Sequence, residues 1–593
     1  MSVAFSFNLL VRLKMSATIF LINAELLGVS FQYDRFLVEE IKKLPVREWY
    51  KPFHCWIVPV FDLVRVLKIF RDSAVVSPEV EQRYKQMQVE QSKILQLKQV
   101  DPDQLQVDLP ALKLPPFGYQ KICATFSAAV GRVLIGDDTG IGKSIEAILS
   151  AMILRKHRGV NRVLVFCPSS LKRSWQTEIQ KFTYESFCIV EGDAAQRKSK
   201  YSKDVFFTIV NYDLSYRDVE VMKSLPWDLI ILDEASRIKN WETRTSQAVK
   251  QIPSRFLLAL TGTPIENSVM ELFSIVEAIN PRIFGQNKKA FMDRYCILDM
   301  WKNVIGYRNL DEIREKLQYC MIRRKKRDVL PELPPLLEST RFVTLAPIQR
   351  EQYNKIKSGI LEMKKGGRLE LFNLLQQMAY LQQAAIHTNL IDEGAEPCSS
   401  KLDECKSIVD EVVIDNKIVI FTRFLKMVSI LQREFASYGA VVYQGETPNT
   451  CQADSEGLDS SDCSKCKYAR CGSRKELVYR FNSDESCRVF ISSDAGAYGV
   501  NLQSASYLIQ MDLLWNPAQQ YQRVSRIQRA SSRVKSWNVI SIVSEDTMEE
   551  RTLKVLEAKQ KISDDVIDTE VSELENDSNV FKGMTLNDIC KLL

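Results

Sequence analysis

Gly136-Asp-Asp-Thr-Gly-Ile-Gly-Lys-Ser144 follows the short apolar run Arg132-Val-Leu-Ile135 and leads into the helical stretch Ile145 to Leu154. Strand, glycine-rich turn and helix in that order make a phosphate-binding turn at the edge of a parallel sheet. Gly140 and Gly142 let the backbone curl, so that successive N–H groups face inward. The helix N-terminus adds partial positive charge. In this reading Asp138, Thr139, Gly140 and Gly142 cradle nucleotide phosphates, Lys143 reaches the β- and γ-phosphates, and Ser144 ligates Mg²⁺. The strict pattern asks for Gly at position 137, where this chain has Asp.

Further along, Trp227-Asp-Leu-Ile-Ile-Leu232 is the continuous apolar run of a strand buried on both faces. Asp233 and Glu234 follow at its C-terminal end, where open α/β sheets hold their ligands. Asp233 is suited to the Mg²⁺ shell and Glu234 to orienting water. The two segments together imply hydrolysis of a nucleoside triphosphate.

Asp137-Asp-Thr-Gly-Ile-Gly-Lys-Ser144 resembles the Asp-Glu-Met-Gly-Leu-Gly-Lys-Thr box of Swi/Snf-type ATPases in helicase superfamily two, a family that also has Asp at the first position. Further resemblances follow in the family's order. Gln120, in Phe117-Gly-Tyr-Gln, is similar to the glutamine that reads adenine. Cys167-Pro-Ser-Ser-Leu171 with Trp175 resembles motif Ia, and Asp233-Glu-Ala-Ser-Arg-Ile-Lys-Asn240 the Asp-Glu-Ala-His box. Leu260-Thr-Gly-Thr-Pro-Ile-Glu-Asn267 resembles motif III. Arg323, Arg324, Asp328 and Leu333-Pro-Pro335 match the stretch that joins two lobes. Lys417-Ile-Val-Ile-Phe-Thr-Arg423 resembles motif IV, and Ser493-Asp-Ala-Gly-Ala-Tyr-Gly-Val-Asn-Leu502 motif V, followed by Asp512-Leu-Leu-Trp-Asn-Pro517. Gln522-Arg-Val-Ser-Arg-Ile-Gln-Arg529 resembles motif VI.

The resemblance covers roughly residues 110 to 560. It implies ATP and Mg²⁺ as cofactors and Lys143, Asp233, Glu234, Arg526 and Arg529 as the catalytic set. Gln120 and Gln522 join the nucleotide-binding residues. The two arginines are expected to act as arginine fingers when the lobes close. Three departures stand out: Ser236 replaces the family's His, and Ser525 and Gln528 replace the Gly and His of motif VI. Thr261 and Thr263 are read either as couplers to nucleic acid or as the caps of a tight turn.

The fold class implied is α/β: two RecA-like parallel-sheet lobes with helical insertions, plus a small α+β N-terminal domain. The expected divisions are 1–75 for the N-terminal domain, 76–109 for a Gln-rich helix and linker, and 110–280 for lobe 1. Helical protrusions and the inter-lobe segment follow at 281–395, lobe 2 at 396–545, and a C-terminal helix and tail at 546–593. In the tail, a helix through Lys561 is expected to precede an acidic stretch, Asp564 to Asp577. Residues 16–75 weakly resemble the HepA-related domain of annealing helicases, with Trp49 and Trp56 read either as DNA-junction contacts or as filling of a small core. Asp34 is expected to cap a helix there.

Composition bounds the rest. The chain has 593 residues, 45% of them hydrophobic, enough for several well-buried cores. Its net charge of only +6 means that nucleic-acid binding must rest on local basic patches. No apolar run reaches the length of a membrane span. The N-terminal apolar stretch, interrupted by Arg12 and Lys14, is a poor signal peptide, with Met15 an alternative start. The 3 histidines, His54, His157 and His387, are read as structural or surface residues.

Of the 14 cysteines, Cys451, Cys463, Cys466 and Cys471 cluster with the spacing of a tetrahedral thiolate site. They are read as holding a structural Zn²⁺, with Cys487 a substitute ligand. Unliganded loop thiols are the alternative.

The functional expectation is an ATP-dependent double-stranded DNA translocase that remodels forks or junctions and anneals strands. Its expected partners are double-stranded or branched DNA and replication or repair proteins, with no membrane. A monomeric, intracellular motor is expected, in the nucleus, cytoplasm or nucleoid according to its host. The alternatives are a translocase that displaces DNA-bound protein and a low-turnover, nucleotide-gated DNA-binding scaffold.

Overall fold

In the computed structural model, continuous apolar runs become the inner strands of two parallel sheets, because strands covered by helices on both faces need no polar side. The structure describes residues 17–102, 104–105, 108–265, 268–300, 304–365, 371–448, 471–497, 500–529 and 532–567. They fall into two compact units, one built on 17–137 and 142–323, the other on 138–141 and 324–565.

The first unit opens with a five-stranded sheet of β1 (Ala17–Asn23), β2 (Leu26–Ser30), β3 (Glu48–Tyr50), β4 (Cys55–Pro59) and β5 (Ala74–Val76), in the order β3-β4-β2-β1-β5. Asp34 caps helix Arg35–Lys42 by accepting the Leu37 N–H, as expected from sequence. This helix and helix Leu63–Phe70 supply Leu37, Ile41, Val66 and Phe70 to one small core. Segment 76–109 is more than a helix and a linker. Its helix Pro78–Gln99 packs Tyr84 and Met87 on the N-terminal core and Ile94 on the next one.

That next core surrounds a parallel sheet of β6 (Arg132–Ile135), β7 (Val163–Cys167), β8 (Phe187–Ile189), β9 (Phe207–Asn211), β10 (Leu229–Asp233) and β11 (Phe256–Leu260). After an antiparallel hairpin, β12 (Cys296–Leu298) and β13 (Val304–Tyr307), β14 (Met321–Ile322) returns to the edge, in the order β14-β6-β11-β10-β7-β9-β8. The sheet's middle strand, β10, is buried throughout and ends on Asp233.

The second unit holds a six-stranded parallel sheet. Its strands are β15 (Leu336–Val343), β16 (Ile418–Phe421), β17 (Val441–Tyr443), β18 (Val489–Ser492), β19 (Tyr507–Gln510) and β20 (Trp537–Ser544), in the order β15-β20-β19-β16-β18-β17. The two sheets establish the α/β fold with two RecA-like lobes. The span 281–395 divides between the units: β14 completes the first sheet, and β15 pairs over eight residues with β20 of the second. Helix Met548–Ile567 runs through Asp564 and Asp565, beyond the end at Lys561 that the sequence suggested. The acidic stretch past Ile567 and the last residues lie outside the described residues.

Within the first unit, the N-terminal sheet domain is joined to the motor lobe by buried charge. Asp62, fully buried, accepts from Arg65 Nη1 at 2.6 Å and lies 3.8 Å from the Lys316 ammonium. Arg65 reaches Glu315 at 2.8 Å, while Glu312 accepts from Arg294 at 2.7 Å and from the Tyr295 hydroxyl at 2.8 Å. Lys316 also donates to the Ile283 carbonyl at 3.0 Å. Such a network contributes little net stability when complete, but removing one member strands a buried charge. Asp62→Ala should therefore destabilise the first unit by about 3–5 kcal/mol, whereas Asp62→Leu with Lys316→Met should recover most of that loss. Denaturant unfolding checks this: a single variant within about 0.5 kcal/mol of wild type would show that the network is not buried.

Candidate functional site

The phosphate turn folds as its glycines dictate. Gly140 and Gly142 take φ of +89° and +106°, where a side chain is strained, and helix Lys143–Arg158 starts immediately after them. A Cβ at Gly142 would meet Gln120 Nε2 at 2.8 Å, so the expected adenine-reading glutamine lies against the cradle. Gln120 itself is 1% exposed, and its Oε1 accepts the Phe117 N–H at 3.0 Å. Thr139 Oγ1 is buried without a hydrogen-bond partner among the described residues, and Ser144 stands in the first turn of the helix. This cradle, with its orphan hydroxyl and its glycines, fits a phosphate group.

Lys143 donates its ammonium to the Asp137 carbonyl at 2.8 Å. Burial pulls its pKa below the ordinary lysine range, opposed by the charges of Glu234, Asp137, Glu146 and Asp233. Arg323, at the end of β14, donates to the Gly136 carbonyl at 2.7 Å and the Gly262 carbonyl at 3.2 Å, tying the phosphate turn to the turn after β11. In that second turn, the buried Thr261 hydroxyl accepts the Thr263 N–H at 3.1 Å, which is the capping role. Thr263 Oγ1 is buried and has no partner among the described residues. Glu266 and Asn267 lie outside those residues.

Asp233 ends β10 with both carboxylate oxygens engaged. Oδ2 accepts the Trp175 indole N–H at 2.7 Å, and Oδ1 accepts the Glu234 N–H at 3.1 Å. The Tyr212 hydroxyl donates to the Asp233 carbonyl at 2.8 Å. Lone pairs remain on both carboxylate oxygens, which suits a hard cation. Burial, then the neighbouring Glu234 charge, pushes the Asp233 pKa from 3.8 to about 7, against the Trp175 hydrogen bond and the Lys143 charge. Glu234 adopts a left-handed φ of +53°, an unfavourable conformation for Glu of the kind found at functional turns. Sequence placed Trp175 in a matching motif without giving it a task. A Trp within an amphipathic helix carries no sign of which carboxylate its N–H will meet. Ser236 lies in the short helical turn Ala235–Ile238, its carbonyl accepting from the Lys239 N–H at 3.2 Å.

In the second unit, the Asp138 N–H donates to the Arg324 carbonyl at 3.1 Å, and its Oδ2 accepts the Lys326 N–H at 2.9 Å. Arg523, fully buried, is clamped by Asp494 at 2.6 Å and Asp512 at 3.0 Å. Asp512 also accepts from the Thr422 hydroxyl and the Arg423 N–H, each at 2.8 Å. Arg526, 6% exposed, donates through Nε to the Gln522 carbonyl and through Nη2 to Ser525 Oγ, both at 3.0 Å. Arg529 donates to the Val500 carbonyl at 3.3 Å. Gln522 is 3% exposed, and its side-chain oxygen has no partner among the described residues. Sequence passed over Arg523 and Lys326 as structural members, because their acidic and amide partners lie far away in the chain.

Of the thiolate cluster, Cys451, Cys463 and Cys466 lie outside the described residues. Cys471 is half-buried beside the Ser473 hydroxyl at 3.2 Å. Cys487, the substitute ligand considered from sequence, is 2% exposed and packs in an apolar core with Phe481 and Phe490. Its thiol is kept protonated by burial.

The N-terminal sheet presents a second candidate surface. The hairpin of β3 and β4 carries Trp49, 45% exposed, edge-to-face on Trp56 at 5.4 Å, with Phe53 62% exposed at its tip beside Lys51. Trp56 packs on the small core and Trp49 does not fill it. Trp56 also lines an open cleft of about 1490 Å³ within the first unit, together with Arg47, Trp241, Arg282, Lys288 and Lys289. Aromatic faces interleaved with cations are the ordinary furniture of nucleic-acid surfaces. No helix among the described residues is long and apolar enough to cross a membrane.

The SNF2-related domain family matches residues 83–390, and the helicase conserved C-terminal domain family matches 400–531. An uncharacterized ATP-dependent helicase of Mycoplasma genitalium is 26% identical over 77% of this chain and 42% of its own length. The human SWI/SNF-related matrix-associated actin-dependent regulator of chromatin subfamily A member 1 is 26% identical over 73% of the chain and 41% of its own. The chain thus spans less than half the length of these relatives. Among solved structures, the Sulfolobus solfataricus SWI2/SNF2 ATPase core in complex with double-stranded DNA is 25% identical. It covers 78% of this chain and 95% of that one, with a TM-score of 0.38.

The Asp233 shift gives a test of the site in the nucleotide-free protein. Its carboxyl is held protonated in the folded state from pH 3.8 up to about 7. The stability this contributes is fully present below the lower value and lost as pH rises through the upper one. Asp233→Asn, which keeps an acceptor for Trp175 and cannot ionise, should gain on wild type by on the order of 1–3 kcal/mol between pH 5 and pH 8. Thermal unfolding at the two pH values reads it. An equal gap at both would mean that Asp233 ionises normally.

Proposed function

Because this chain belongs to the SNF2-related family of helicase-type ATPases, we propose that it is a DNA-dependent ATPase that translocates on double-stranded DNA. The observation that carries this reading is the gathering of half-buried Lys143 and Glu234 around buried Asp233, beside a glycine cradle that ends in a helix N-terminus. Mg²⁺·ATP bound there would supply the phosphoanhydride and the cation that screens it. Lys143 would neutralise phosphate charge once it leaves the Asp137 carbonyl. Ser144 and Asp233 would hold the metal, and Trp175 would fix the Asp233 rotamer. Glu234 would orient the attacking water. Arg526 and Arg529 would complete the neutralisation, and Gln120 and Gln522 would complete the nucleotide contacts. Phosphoryl transfer asks for this positioning and charge compensation and needs little covalent help.

For the job the motor does, we favour remodelling of forked or branched DNA and strand annealing over displacement of a bound protein. The exposed Trp49–Phe53 hairpin, with Trp56 lining a cleft of mixed charge that holds Arg47 and Lys289, supports this, since an unpaired strand offers bases to stack and a duplex does not. A structural Zn²⁺ held by the 451–471 cysteines, and replication or repair proteins as partners, belong to the same proposal.

Hydrolysis by the purified chain with no nucleic acid, duplex DNA, forked DNA, single-stranded DNA and RNA tests both levels. Duplex or forked DNA should stimulate turnover, and Glu234→Gln should lower it by at least about 100-fold. Trp49→Ala with Phe53→Ala should remove a preference for forks while leaving duplex stimulation intact. Point variants are the cleaner test, because deleting the N-terminal domain would also remove Asp62 and Arg65 from beside Lys316 and Glu312. Turnover no greater than that of Glu234→Gln on every substrate would leave the nucleotide-gated scaffold as the reading.

A further inference from the structure

We propose that Ser525 is a positioning residue that holds the Arg526 guanidinium on its own helix and so restrains hydrolysis in the absence of DNA. The inference rests on the reading of Arg526 as a phosphate-facing arginine. Ser525 follows helix Pro517–Val524 and is fully buried. Its hydroxyl donates to the Gln522 carbonyl at 2.8 Å and accepts Arg526 Nη2 at 3.0 Å, while Arg526 Nε donates to that same carbonyl at 3.0 Å. Hydroxyl, carbonyl and guanidinium thus close one ring of three hydrogen bonds. Two of these have a charged donor, the stronger kind in a buried setting.

Glycine or alanine at this position would have no hydroxyl with which to hold the arginine. Capping of the helix end would account for the bond to Gln522, since a serine hydroxyl commonly satisfies a carbonyl of the last turn. It does not account for the bond from Arg526. The other departure in the segment behaves alike. Gln528 accepts the Lys326 ammonium through both its backbone and its side-chain oxygen, each at 3.0 Å, and Lys326 is 3% exposed. Ser525 and Gln528 thus each hold a cation of the second unit through a side-chain oxygen.

For Arg526 to reach a phosphate, the bond from Nη2 to Ser525 must break. Its loss in a variant lowers that barrier, and the gain falls where the restraint is not already overcome by DNA. Ser525→Ala and Ser525→Gly should each raise turnover without DNA by about tenfold. Turnover at saturating linear duplex DNA should change less than about twofold, so the stimulation ratio collapses. Ser525→Thr, which keeps the hydroxyl, should retain the wild-type ratio. Both rates are read on the purified full chain, with the thermal midpoint of each variant and with Arg526→Ala as reference.

A helix-capping role alone would lower the midpoint and leave the ratio unchanged. An unchanged ratio in the folded Ala and Gly variants, with Arg526→Ala inactive, would overturn the role of Ser525 and spare that of Arg526. Full turnover by Arg526→Ala would instead remove the premise. If only one of the Ala and Gly variants folds, it reads the same ratio.

Discussion

The structure is organised around a carboxylate that has to be kept where water would not willingly leave it. Asp233 closes the middle strand of a largely apolar sheet, and nothing else in β10 carries charge. Compensation arrives from other elements: an indole N–H from helix Lys172–Phe182, the N–H of Glu234, and the Lys143 ammonium across the strand ends. Each of these fixes a neighbour in turn. Trp175 must be buried to reach Asp233, Lys143 must begin a helix to face it, and the turn between β6 and that helix must then be glycine-rich. The site's architecture follows from one desolvated acid.

The second unit meets the same constraint with opposite sign. Arg523 is a fully buried cation held by two acids, and Lys401, also fully buried, is held by Glu549 at 2.7 Å and by the carbonyls of Met511 and Ile542. Buried pairs of this kind contribute little net free energy compared with apolar replacements. Their use here is geometric. Arg523 fixes the loops bearing Asp494 and Asp512 against its helix, so that Arg526, three residues on, starts from a defined place. Lys401 pins helix Met548–Ile567 to the second sheet.

What could be read from sequence was local. Apolar runs marked β6 and β10, the glycines marked the phosphate turn, and Asp34 marked its helix, because each signal lies within a few residues of its effect. The Trp175 bond spans 58 positions and the Arg65–Glu315 bond 250, and neither leaves a trace in periodicity. The left-handed backbone at Glu234 was equally hidden, since nothing in an Asp-Glu pair announces it. The division of 281–395 was missed for a related reason. β14 is two residues long, and its membership in the first sheet is set by its partner β6, not by its own composition.

The departures from the family pattern are placed unevenly, and that placement has a meaning. The cradle keeps Gly140, Gly142 and Lys143, with Asp138, Thr139 and Ser144 differing from the box it resembles, and Asp233 is braced by Trp175. Ser236, Ser525 and Gln528, which also differ, lie outside the cradle segment. A change at Lys143 would remove a cation that opposes the effect of burial on Asp233. Changes around Arg526 and Lys326 leave it intact and alter only how tightly cations are held when idle.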